Sequence, residues 1–69
     1  MESIKPSTLF KISENIDCQD TCGKWLNARI IDLKIDQANC LILKVTYTDF
    51  GDKYDEWIDS KSPRILKQF

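Results

Sequence analysis

Sixty-nine residues leave room for one domain with a modest core, near the lower size at which a core suffices without staples, and argue against multi-step catalysis in a buried cleft. A formal charge of −1 removes any strong global pull toward nucleic acid or anionic membrane, so every charge argument has to be local. No apolar run comes near the roughly 18 residues of a bilayer span and the N-terminus lacks a signal-peptide layout, which together read as a soluble, intracellular chain with no membrane partner.

Residues 1–9 contain Pro6 and no periodicity and read as a flexible tail, which leaves residues 10–69 as the domain. Phe10 and Ile12 alternate with polar neighbours, in a position to border the mouth of a barrel. The first strand is expected over residues 15–19, with Ile16 and Cys18 on one face. Asp20, Thr21 and Gly23 make the loop that follows. The second strand spans residues 25–33, where a period of two puts Leu26, Ala28 and Ile30 toward the core and Trp25, Asn27, Arg29 and Ile31 outward. A helix competes there, but the adjacent Ile30 and Ile31 favour a strand.

Residues 34–39 form a polar hairpin loop with Asp36 and Asn39, and the third strand runs over residues 40–47. Leu41, Leu43, Val45 and Tyr47 share one face of it; Ile42, Lys44 and Thr46 share the other. The chain then turns through Thr48 to Lys53, where Asp49, Gly51 and Asp52 supply the local hydrogen bonds and positive φ that a reversal needs. It returns as a short fourth strand over residues 54–58. Phe50 sits in the middle of that turn, with Tyr47 before it and Tyr54 after it, which suggests an aromatic wall facing solvent. A tight loop over residues 59–63 and a last strand over residues 64–66 complete the pattern. Five short strands with almost no helix signal point to an all-β, small, five-stranded and strongly bent barrel of SH3-like type.

Cys18, Cys22 and Cys40 are an odd set without a histidine, so neither a structural zinc nor any other metal or cofactor is expected. Cys18 and Cys22 are close enough in sequence to meet, but an intracellular chain keeps such thiols reduced, and all three read as small buried or half-buried side chains. With no histidine, no cysteine beside a base, and carboxylates gathered on an exposed turn, the chain does not read as an enzyme.

The stretches GKWLNARIIDL (Gly23 to Leu33), LKVTYTDF (Leu43 to Phe50), YDEWI (Tyr54 to Ile58) and SPRI (Ser62 to Ile65) together resemble the chromo barrel, or Tudor-knot, group of the Tudor-like superfamily. The resemblance covers Phe10 to Leu66 and is similar to modules found in MYST-type histone acetyltransferases and MRG proteins. It implies a nuclear, monomeric, non-catalytic reader that holds a methylated lysine, on a histone tail, in an aromatic cage and so positions a larger chromatin-modifying complex. The matching cage positions are Tyr47, Phe50 and Tyr54; Trp57 matches a family tryptophan read as mainly structural, and Leu26 and Trp57 are candidates for an additional wall. Leu26 departs from the pattern, since many relatives that bind methyl-lysine carry an aromatic there.

The chemistry agrees with the residues. A methylated ammonium keeps its charge but has few N–H groups, and aromatic faces attract it by about 0.5–2 kcal/mol per ring. Asp49 and Asp52 form an acidic rim; with Asp55, Glu56 and Asp59 they stand against Lys53 alone, a local charge of −4 that favours basic peptides over phosphate. A competing reading has Tyr47, Tyr54 and Trp57 simply filling the core. Two further functions are open: an RNA or other nucleic-acid patch built from Lys24, Arg29 and Lys44, with Lys34 and Lys67 as further cations, or a ligand-less barrel serving as a protein–protein contact.

Overall fold

The computed structural model describes residues 10–68, so the expected tail over residues 1–9 and the terminal Phe69 lie outside the described residues. Five strands form one antiparallel sheet: β1 (Asn15–Gln19), β2 (Trp25–Ile35), β3 (Leu41–Tyr47), β4 (Glu56–Asp59) and β5 (Ile65–Lys67). Their order is β4-β3-β2-β1-β5, and the described residues contain no α-helix, so the all-β expectation holds.

The alternation read in the sequence is the alternation that packs. Ile16 and Cys18 of β1, Ala28 and Ile30 of β2, Leu41, Leu43, Val45 and Tyr47 of β3, Ile58 of β4 and Ile65 of β5 form one buried cluster, with Leu26 and Leu33 against it. Phe10, expected at the rim, is part of that cluster, whereas Ile12 is exposed. In β2 the pairing with β3 slips between Ile30 and Asp32, where a bulge at Ile31 lets Ile30 and Leu33 both face the core. The strand therefore continues to Ile35, two residues beyond the expected end, into what was read as loop. The reversal that follows is held by Asp36, whose Oδ1 accepts the amides of Ala38 and Cys40 at 2.9 Å each, and by Asn39 at φ 63°.

Strong bending is required by where the sheet's ends meet. Five strands about 4.8 Å apart would hold the outer two roughly 19 Å from each other if flat, farther than two side chains span. Yet Arg64, at the start of the β5 edge, lies 2.7 Å from Glu56 of β4 at the opposite edge. The sheet is thus curled, but β4 and β5 share no ladder, and the barrel is not closed by hydrogen bonds between strands. Among the described residues, the Arg64–Glu56 pair bridges the seam.

Candidate functional site

The site is set by where β3 ends. Tyr47 pairs with Ala28 of β2, and both face inward, so Leu26, two residues before Ala28 on the same face, falls beside the tyrosine. After Tyr47 the chain leaves the sheet; Thr48 donates its amide to Asn27 at 3.0 Å and Phe50 donates its own to Tyr47 at 3.1 Å. Gly51 adopts φ 70°, ψ 175°, a region essentially reserved for glycine, and a short 3₁₀ turn follows over Asp52–Tyr54. No neighbouring atom lies within 4 Å of the position a Cβ would take at Gly51, so backbone conformation alone demands the glycine. That turn delays the fourth strand to Glu56, leaving Tyr54 outside the sheet instead of at its start.

A cavity of about 440 Å³ opens between this turn and the β1–β2 loop, lined by Leu26, Tyr47, Phe50 and Tyr54 together with Asp20, Asp55 and Glu56. Lys53, Thr21 and Cys22 complete its wall. Phe50 and Tyr54 meet edge to face, centroids 6.3 Å apart at 89°, and are 48% and 53% exposed. The Tyr54 ring already has an ammonium near it, with Lys53 Nζ 5.1 Å from its centroid.

Tyr47 departs from the expected open wall, being only 4% exposed. Its hydroxyl donates to Glu56 Oε2 at 2.7 Å, lies 3.4 Å from Cys18 Sγ and accepts from Arg64 Nη2 at 3.3 Å, while Arg64 also donates to Glu56 Oε2 at 2.7 Å and to the Gln19 carbonyl at 2.7 Å. Burial, reinforced by the hydrogen bonds to Cys18 and Glu56, pushes the Tyr47 phenol far above its ordinary value, and burial likewise pushes the Cys18 thiol up. Burial pushes the Glu56 carboxyl up as well, but hydrogen bonds from Arg64 and Tyr47 outweigh it and hold the group below its ordinary value. The hydrogen bond to Glu56 in turn raises Arg64.

Trp57 does not join the cavity. The β3–β4 register pairs Trp57 with Lys44 and Glu56 with Val45, so the tryptophan faces outward and the glutamate inward. It is 40% exposed, with Lys34 Nζ 4.2 Å and Lys44 Nζ 5.8 Å from the ring centroid. The idea that Tyr54 and Trp57 fill the core is corrected by the same facts. The acidic rim also moves: Asp49 and Asp52 are exposed on the turn and do not line the cavity, whose carboxylates are Asp20, Asp55 and Glu56.

Of the cations proposed for a second surface, Arg29 and Lys44 share the outer face of the sheet, cross-strand from Thr46 and Trp57. Lys24 does not join them, because it belongs to the β1–β2 loop, where its amide donates to Asp20 Oδ1 at 2.9 Å. Arg64 and Asp20 were not singled out as site residues. Arg64 carried no sequence signal of this role, because the inward turn of Glu56 that calls for a cation on the concave side is set by the β3–β4 register.

Cys18 is buried, Cys40 half-buried and Cys22 exposed at the cavity wall, so Cys22 corrects the expectation that all three are sheltered; none is paired with another. Among the described residues no three Cys, Asp or Glu gather in a way that could hold a metal ion. No protein-family model matches the chain, and no curated protein matches it either.

Proposed function

We propose that the chain is a binding module that takes a methylated lysine side chain, on a basic peptide such as a histone tail, into the cavity between the β1–β2 loop and the turn after β3. The observation that carries this reading is the joint placement of Phe50, Tyr54 and Leu26 with the carboxylates of Asp20, Asp55 and Glu56 around one opening. Half-exposed rings supply faces for a soft cation, Leu26 supplies apolar contact for its methyl groups, and the carboxylates supply the field that draws a basic segment in. The resemblance to chromo barrels points the same way, toward a nuclear protein that docks a chromatin-modifying complex. In this reading the module performs no chemistry of its own.

The test is a titration of the isotope-labelled chain with histone-tail peptides in methylated and unmodified forms. Amide signals of Phe50, Tyr54 and Leu26 should move with the methylated peptide and stay in place with its twin, and Tyr54→Ala should remove the response. A screen of methylated tails that leaves all three signals still would sink the proposal.

One observation favours a second reading. Trp57 stands on the outer face between Lys34 and Lys44, with Arg29 on the same face, a combination of ring and cations that suits single-stranded nucleic acid. Binding of single-stranded RNA that weakens steeply with salt and is lost in Trp57→Ala would support it; no retention at low salt would remove it.

A further inference from the structure

The three carboxylates around the cavity differ in what already satisfies them. Asp20 Oδ1 accepts the amides of Cys22 and Lys24 at 2.9 Å each, so its charge is spent on holding the β1–β2 loop. Glu56 Oε2 is engaged by Arg64 and Tyr47. Asp55 is different: its Oδ1 is closed off from solvent and has no hydrogen-bond partner, and among the described residues its carboxylate takes part in no ion pair. Lys53, the cation in the same wall, leans on the Tyr54 ring and forms no ion pair with it. A buried acceptor left without a donor is a standing cost to the free protein, relieved by whatever brings it an N–H.

Leu26 bears on the same question from the other side. With an aliphatic wall where a ring could stand, the cavity offers a fully methylated ammonium fewer aromatic faces, and cation–π attraction carries less of the binding. A trimethylammonium has no N–H and cannot satisfy Asp55. A monomethylammonium keeps two and a dimethylammonium keeps one, and either can make a charge-assisted hydrogen bond there. Asp55 is half-buried as a residue, and the terminal torsion of its carboxylate is a broad two-fold well, so either oxygen can turn to take the donor.

Resting on the reading of the cavity as a methyl-lysine site, we propose that it selects mono- or dimethylated lysine over trimethylated lysine, and that Asp55 is the residue that makes the distinction. The probes are N-acetyl-lysine methylamide with zero, one, two or three ε-methyl groups, titrated by chemical shift against the intact chain, which removes any dependence on peptide sequence. The mono- and dimethyl probes should bind about tenfold more tightly than the trimethyl probe. In Asp55→Asn that preference should shrink to within about twofold, chiefly through weaker binding of the N–H-bearing probes. The ranking in the natural chain stands by itself if Asp55→Asn fails to fold, and Asp55→Glu, which keeps the charge but displaces it, gives a second variant with an expected intermediate preference. Trimethyl-lysine binding as tightly as the dimethyl form, or Asp55→Asn weakening all methylated probes equally, would overturn the selectivity while leaving the cavity a methyl-lysine site. Silence of Phe50 and Tyr54 toward every methylated probe would overturn the parent reading and this one with it.

Discussion

Tyr47 and Tyr54 flank the same reversal and border the same cavity, yet one is locked and the other loose. Tyr47 belongs to β3, is 4% exposed, and spends its hydroxyl on Glu56, Arg64 and Cys18. Tyr54 belongs to a 3₁₀ turn beyond Gly51, is 53% exposed, and touches Phe50 edge to face. The cavity is therefore built half from the sheet and half from a turn. The sheet half carries stability, because its members are buried and multiply bonded; the turn half is free to serve recognition, because little of the fold depends on it.

That division can be broken from the locked side first. Tyr47→Ala removes a buried ring together with the hydroxyl that Glu56 and Arg64 share, and should lower unfolding free energy by about 3–5 kcal/mol in urea titrations. A loss below about 1 kcal/mol would mean that the tyrosine is not the anchor described. Arg64→Met should cost about 1–3 kcal/mol, since it leaves a part-buried carboxylate without its cation at the seam of the curled sheet. Recovery of that loss in the double variant Arg64→Met, Glu56→Gln would assign it to the pair.

The same network gives stability a two-sided pH dependence. Glu56 titrates below its ordinary value in the folded chain, so its contribution is full above the unfolded carboxyl's range and fades as pH falls through the folded value. Tyr47 and Cys18 titrate above their ordinary 10.0 and 9.0, so their contribution is full below those values and fades as the pH rises beyond them. Urea midpoints should form a plateau between the two limbs, and Glu56→Gln should flatten the acid limb and also reduce the alkaline one, because the Glu56 carboxylate helps to raise Tyr47 and Cys18.

On the loose side a stability cost comes from backbone strain at one glycine and not from the rings. Gly51→Ala should cost about 1–3 kcal/mol through backbone strain, with shifts concentrated at Phe50 and Tyr54, because nothing collides with the added methyl. Phe50→Ala should change stability by no more than about 0.5 kcal/mol while abolishing the response to methylated peptide proposed above. A large stability loss there would erase the contrast between the two halves.

Much of this was legible in the residues. The apolar alternation of Leu41 to Tyr47 and of Leu26 to Ile30 marked the core faces, and Asp20, Asp36, Asn39 and Gly51 marked turns that the structure makes with those side chains and dihedrals. Phe50 was visible as a ring placed where no core could take it, whereas Tyr54, expected at the start of β4 and open to a core reading, owes its exposure to the 3₁₀ turn. The tryptophan was misassigned because YDEWI offers two parities, and composition does not say whether Glu56 or Trp57 turns inward. The acidic rim was misassigned for a related reason: neighbours in sequence along a turn diverge in space, while Asp20, a loop residue far from it in the chain, arrives at the cavity.

Strand identity, turn positions and the inward set of β1 to β3 follow from local rules of period and backbone preference, which each short stretch obeys without knowing its partners. The parity of β4, the bulge at Ile31, the Arg64–Glu56 bridge and the solitary carboxylate of Asp55 depend on register between strands and on how far the sheet curls. Those are properties of the curled sheet as a whole, set by the joint packing of one small core, and no single segment encodes them.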